Sequence, residues 1–233
     1  MKRLIGGVAA LLTVAALAGC GGSAKAAAPT KLAGQFGITP GHCTTPRAKP
    51  TGSYFVAISA AAGHALQNRA GGCANPSYTP LAAGTDGGLI TGEFQPQPAK
   101  VFDANRNSRA VRLFAPVRFG HYRLGFATSA RDEQHAPAGA PAYPPPAAIV
   151  TGDTLSVDLR SLVLTYAGRS NSSCRASFGV GCFNLGSKNA TGTYDATTHR
   201  YVIDWFSGAA FTPNGDSMEF HLEGTFTAGS NQT

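Results

Sequence analysis

Read for the spacing of apolar and polar positions, much of the chain alternates with a period of two, the mark of half-buried strands. The clearest unit runs from Ala190 to Thr227. There Tyr201, Ile203 and Trp205 alternate with Val202, Asp204 and Phe206. Further on, Met218, Phe220, Leu222 and Phe226 fall on one face, with Glu219, His221 and Glu223 on the other. YDATTHRY (194–201) supplies one tight connection and TPNGD (212–216) a second, since Pro, Asn and Gly each favour turn backbone. The pattern predicts a three-stranded meander with one wet side.

Upstream, SYFVAIS (53–59), GLITGEF (88–94), KVFD (100–103), AVRLFAPVRF (110–119) and YRLGFAT (122–128) read as further strands. AAAGHALQNRAGG (60–72) predicts one short helical turn. Gly120-His121 fits the two central residues of a type II′ hairpin. That register sets Phe119 opposite Tyr122, Val117 opposite Leu124, and Arg118 opposite Arg123 on the other face. In DTLSVDLRSLVLTY (153–166), Leu155, Val157 and Leu159 give way to Leu162, Leu164 and Tyr166, a phase slip that predicts a bulge or bend near Ser161. The proline-rich stretch 135–148 excludes helix and central strand and predicts an extended loop. From Thr151 onward, about 75 residues resemble the carboxy-terminal meander of certain uncharacterised exported bacterial proteins, a resemblance that carries no known activity. The expected fold is all-β, an antiparallel sandwich or partly open barrel over 53–228. Two smaller halves, 53–134 and 149–228, on either side of the proline-rich loop are the alternative.

The amino terminus follows a different logic. Lys2 and Arg3 precede an apolar run from Leu4 to Ala18, too short for a membrane span of about 20 residues and laid out like a secretory signal. Leu17-Ala18-Gly19-Cys20 then resembles the lipobox of bacterial lipoproteins. The resemblance implies cleavage after residue 19 and a diacylglyceryl thioether on Cys20. It places the protein in the cell envelope, lipid-anchored on the outer side of the cytoplasmic membrane or in the outer membrane. Each buried CH₂ contributes roughly 0.8 kcal/mol, so two or more acyl chains hold a soluble domain on a bilayer. Residues 20–52, rich in Ala, Gly, Pro and Thr, predict a flexible tether.

Composition agrees with turn-rich β structure: 29 glycines and 15 prolines among 233 residues, only 13% of which are charged. Net charge is +7, and loss of Lys2 and Arg3 leaves 17 basic against 12 acidic residues. That excess favours anionic partners, lipid headgroups or envelope polymers, and does not call for nucleic acid. Cys43, Cys73, Cys174 and Cys182 in an exported chain predict two disulfides. Pairing within each segment, Cys43–Cys73 and Cys174–Cys182, is the expected connectivity. No CxxC or HxxxH spacing supports zinc.

Chemistry is sparse. The chain holds no G-x-S-x-G elbow, H-E-x-x-H helix, phosphate loop or dinucleotide fingerprint, and no motif calls for a cofactor. Asp103, Asn105 and Asn107 begin like a calcium loop, but Ser108 and Phe114 stand where Gly and Glu are required. Asp204 between Ile203 and Trp205 is a candidate buried acid, with Glu219 or Glu223 as second carboxylate. His221 between Glu219 and Glu223 is a candidate metal constellation, more simply read as a wet face. From Lys100 to Arg131 seven basic residues face one acid, Asp103. Arg118 and Arg123, with Arg112 further along the same side, form the candidate anion-binding set, unless carboxylates such as Glu219 and Glu223 neutralise them. Two classes of function follow. One is a non-catalytic envelope lipoprotein of binding or structural type that contacts anionic ligands. The other is an exported glycan-directed hydrolase working through paired carboxylates.

Overall fold

The computed structural model describes residues 27–45, 47–71, 73–131, 142–168, 181–187, 190–207 and 216–229. These residues form strands and no helix. In chain order the first eight are β1 (Thr30–Leu32), β2 (Gly34–Ile38), β3 (Tyr54–Ser59), β4 (His64–Ala65), β5 (Thr79–Pro80), β6 (Gly88–Thr91), β7 (Val117–Phe119) and β8 (Tyr122–Thr128). The rest are β9 (Ala147–Thr151), β10 (Thr154–Asp158), β11 (Leu162–Tyr166), β12 (Gly181–Asn184), β13 (Ala190–Tyr194), β14 (Arg200–Phe206) and β15 (Ser217–Ala228).

All pairings are antiparallel. The larger sheet runs β1-β9-β10-β13-β14-β15-β2-β6. Only Ala33 separates β1 from β2, so the order begins and nearly ends on one bent run of chain, and the sheet is a nearly closed barrel. Leu32 pairs with Ala148 on one side of the seam, and Gly34 with Ala228 on the other. The corner is Gly34, with φ +152°. Gly229 N–H donates to the Ala33 carbonyl at 3.0 Å, and the Thr91 hydroxyl donates to Leu32 O at 2.9 Å. β15 is long enough to serve two neighbours on one edge: Ser217–His221 pairs with β3, and Gly224–Ala228 pairs with β2.

The second sheet, β12-β11-β8-β7, packs against the inward, core-facing side of β3 and β15. Phe55 of β3 and Phe220 of β15 meet Phe126 of β8 with ring centroids 6.1 and 5.7 Å apart. Inside the barrel Phe36 lies edge-on to Tyr201 at 5.0 Å and against Phe226 at 4.8 Å. One continuous hydrophobic cluster extends from Leu32 to Phe226. Each fully buried large side chain in it contributes roughly 1.5–3 kcal/mol of transfer free energy.

The all-β expectation and the carboxy-terminal meander hold, with β13, β14 and β15 alternating between core and solvent. Four expectations are corrected. The tether of 20–52 is too long, because residues 30–38 supply two barrel strands. The halves 53–134 and 149–228 are not separate: β3 and β6 join the barrel while β11 and β12 join the second sheet. Residues 60–63 form a turn leading into β4 rather than a helical turn. KVFD contributes only a bridge, Phe102 to Ser108, and of 110–119 only β7 is a strand. The phase slip near Ser161 is the point where the chain leaves the barrel after β10 and enters the second sheet at β11, through a turn closed by Leu162 N–H donating to Leu159 O at 2.9 Å.

Cys43 and Cys73 are bridged, with Cα atoms 5.4 Å apart. Cys182 is also disulfide-bonded, and Cys174 and Cys20 lie outside the described residues.

Candidate functional site

The β7–β8 hairpin adopts the expected register: Val117 opposite Leu124, Arg118 opposite Arg123, Phe119 opposite Tyr122. Gly120 has φ +58° and His121 a negative φ, as a type II′ turn requires. One face is anchored by Phe119, 6.0 Å from Phe55 and 6.1 Å from Tyr166. The hairpin backbone is gripped from three sides. Buried Asn68 donates from Nδ2 to Arg118 O at 2.8 Å and accepts Gly120 N–H on Oδ1 at 3.2 Å. Asn107 Oδ1 accepts Arg123 N–H at 2.9 Å, and the Tyr166 hydroxyl donates to Phe119 O at 3.0 Å. Sequence pattern gave neither asparagine this role, because both act across 16 to 52 residues of separation. The result is a rigid platform with two guanidinium groups on its solvent face.

Three other arginines of the described residues are engaged. Arg106 gives Nε and Nη2 to Ala167 O at 2.9 and 2.6 Å, and Nη1 to the Tyr122 hydroxyl at 3.0 Å. Arg160 meets Asp158 at 2.6 Å. Arg112 is a correction: it does not extend the hairpin pair but is spent on Asp86, Nε to Oδ2 at 2.8 Å. Among the described residues, the guanidinium groups of Arg118 and Arg123 make neither a hydrogen bond nor an ion pair. Glu219 and Glu223 do not neutralise them. Like charges directly across a strand pair are destabilising, and a fixed backbone keeps them together.

The candidate catalytic carboxylates are placed differently from expectation. Asp204 is not buried: its side chain is 60% exposed on the outer face of the barrel. It accepts a 2.7 Å hydrogen bond from His221 Nδ1, while Glu223 Oε2 lies 3.9 Å from His221 Nε2. His221 is therefore held between Asp204 and Glu223, not between Glu219 and Glu223. Its ring stacks on Tyr54 with centroids 5.0 Å apart. Burial pushes the Tyr54 phenol up, and its oxygen in turn holds the Lys49 ammonium above the usual lysine range. Among the described residues no three His, Cys, Asp or Glu side chains are grouped to hold a metal ion. Trp205 is core, stacked flat on Phe220 at 4.4 Å.

In the calcium-like turn, Asp103 Oδ1 accepts the N–H groups of Asn107 at 2.8 Å and Asn105 at 2.9 Å. The Asn107 N–H chiefly holds the Asp103 carboxyl below its ordinary range. This carboxylate folds its own loop.

A cleft of about 470 Å³ opens beside the Asp204–His221–Glu223 row, lined among others by Asp153, Asp195, Arg200, Val202 and Glu223. Nothing in the sequence marked it, because its residues come from three strands and two turns. Compared with known proteins, the chain matches no family model, no curated protein and no solved structure.

Proposed function

We propose that the chain is an exported, lipid-anchored binding domain, non-catalytic, that grips anionic groups of headgroups or envelope polymers with Arg118 and Arg123. The observation that carries this reading is the pair of adjacent guanidinium groups left without partners on a hydrogen-bonded platform, while Arg106, Arg112 and Arg160 are all engaged. Guanidinium forks match phosphate and carboxylate oxygens two at a time, and a fixed backbone spares part of the ordering cost of binding. The lipobox at Cys20 supports the envelope location, and the Cys43–Cys73 bridge fits an oxidising compartment.

Two arms test it. Cys20→Ser should abolish fatty-acid labelling and release the protein from the membrane fraction; continued labelling refutes the anchor. Inorganic phosphate at about ten times its dissociation constant should stabilise the domain by about 1.4 kcal/mol. The Arg118→Ser, Arg123→Ser double variant should lose that shift and, at low salt without phosphate, be no less stable than the parent. No phosphate-dependent shift in the parent refutes anion binding.

A further inference from the structure

The cleft on the outer face of the barrel carries charges of both signs that do not meet. Its floor is low, formed by Thr193 and Val202, which face each other in register, with Glu223 beside Val202 on the next strand. Arg200 stands one position along the same face, paired with Thr225 and directly across from Asp195, whose N–H donates to Arg200 O at 2.9 Å. Asp153 lines the opposite rim. Among the described residues Arg200 makes no ion pair with any of these carboxylates, although neighbours across a strand are within easy reach.

The reason lies in what holds each carboxylate. Asp195 is consumed by its own turn, accepting the Thr198 hydroxyl at 2.7 Å and the N–H groups of Thr197 at 2.8 Å and Thr198 at 3.2 Å. The Thr198 hydroxyl chiefly holds its carboxyl below the ordinary range. Glu223 is drawn the other way, with Oε2 facing His221 Nε2, and His221 is itself fixed by Asp204 and by the Tyr54 ring. The row Asp204–His221–Glu223 thus backs the carboxylate of a residue that itself lines the cleft. Arg200 remains as an unspent cation a short distance away.

We infer that this cleft takes a zwitterionic ligand of the amino-acid or short-peptide class, the ammonium on Glu223 with Asp153 at the rim and the carboxylate on Arg200. Its volume is within the range of small-molecule sites, and each contact is a charge-assisted hydrogen bond. Because the cleft is open to water, affinity is modest, with a dissociation constant on the order of 1 mM. His221 is a positioning residue.

The test is a titration of the full-length chain, followed by amide chemical shifts, with alanylalanine, its N-acetyl form and its carboxamide as probes. Free dipeptide should bind and shift residues 193–202 and 223; either capped form should bind at least ten-fold more weakly. Arg200→Ser should erase the preference for free dipeptide over the carboxamide, and Glu223→Gln the preference over the N-acetyl form. His221→Phe, which keeps a ring against Tyr54, should weaken free dipeptide several-fold. Absence of dipeptide binding, equal binding of capped and free forms, or unchanged selectivity in both folded variants overturns the inference. None of these outcomes bears on the phosphate response of Arg118 and Arg123.

Discussion

Closure of the barrel rests on one backbone corner, and Gly34→Ala tests it. At φ +152° an L side chain is strained wherever there is space, and here there is none. An added Cβ would lie on the Thr227 carbonyl oxygen and almost as near the Gly229 nitrogen, both backbone atoms of the opposing strand that cannot swing aside. Strained backbone of this kind costs roughly 1–3 kcal/mol before the overlap is counted. For a chain of this length each kcal/mol lowers Tm by about 2–4 °C, so a fall of about 2–12 °C is expected. Gly229→Ala is the matched control in the same seam: its Cβ would meet the Ala33 carbonyl oxygen and the Gly34 Cα, both at 3.6 Å, ordinary contact distance. It should change stability by no more than about 0.5 kcal/mol. Thermal unfolding followed by far-ultraviolet circular dichroism reads both, and hydrogen exchange at the Leu32, Gly34 and Gly229 amides locates the damage. Equal Tm values for the two variants, or faster exchange spread evenly over the chain, would refute the corner as the closing element.

Removing the Cys43–Cys73 bridge by paired serine substitutions should cost about 3–4 kcal/mol, since it closes a separation of 30 residues; denaturant titration checks this, and an unchanged midpoint contradicts it. Tyr201, buried in the barrel with its hydroxyl donating to Gly37 O at 3.0 Å, has its phenol pushed well above the usual range, chiefly by burial and then by Glu223. A raised phenol stabilises the fold fully below the unfolded value of about 10, and that stability is lost as pH climbs through the folded value. Absorbance at 295 nm against pH should therefore show one late tyrosine ionising together with loss of the fold, a step missing in Tyr201→Phe. Reversible ionisation of all seven tyrosines in the native protein would contradict the burial.

What the sequence revealed, and what it hid, follows from the range of the interactions. The β7–β8 register was legible because a two-residue turn fixes its own pairing, and β13–β15 because strict alternation marks each core face. Residues 30–38 carry the same alternation in Leu32, Phe36 and Ile38. It was masked by Gly and Ala, and by partners more than 100 residues away in β9 and β15. The slip at Ser161 was readable as a local event, but not that it moved the chain between sheets. In the candidate site, the facing arginines were visible and their supports were not. Asn68, Asn107 and Tyr166 act through side-chain bonds to distant backbone, which leave no periodicity. Arg112 shared the charge pattern of its neighbours; only the fold brings Asp86 to it.

The most direct test of the anion-binding account observes the guanidinium groups themselves. In a proton–nitrogen spectrum of the arginine Nε–H groups, assigned by single substitutions, inorganic phosphate at low salt should shift Arg118 and Arg123 together along one saturating curve. Arg106, Arg112 and Arg160, already held by Ala167, Asp86 and Asp158, should stay in place. If Arg118 and Arg123 do not move, or if every arginine drifts alike without saturation, the pair is a solvated surface and the proposed binding function is wrong.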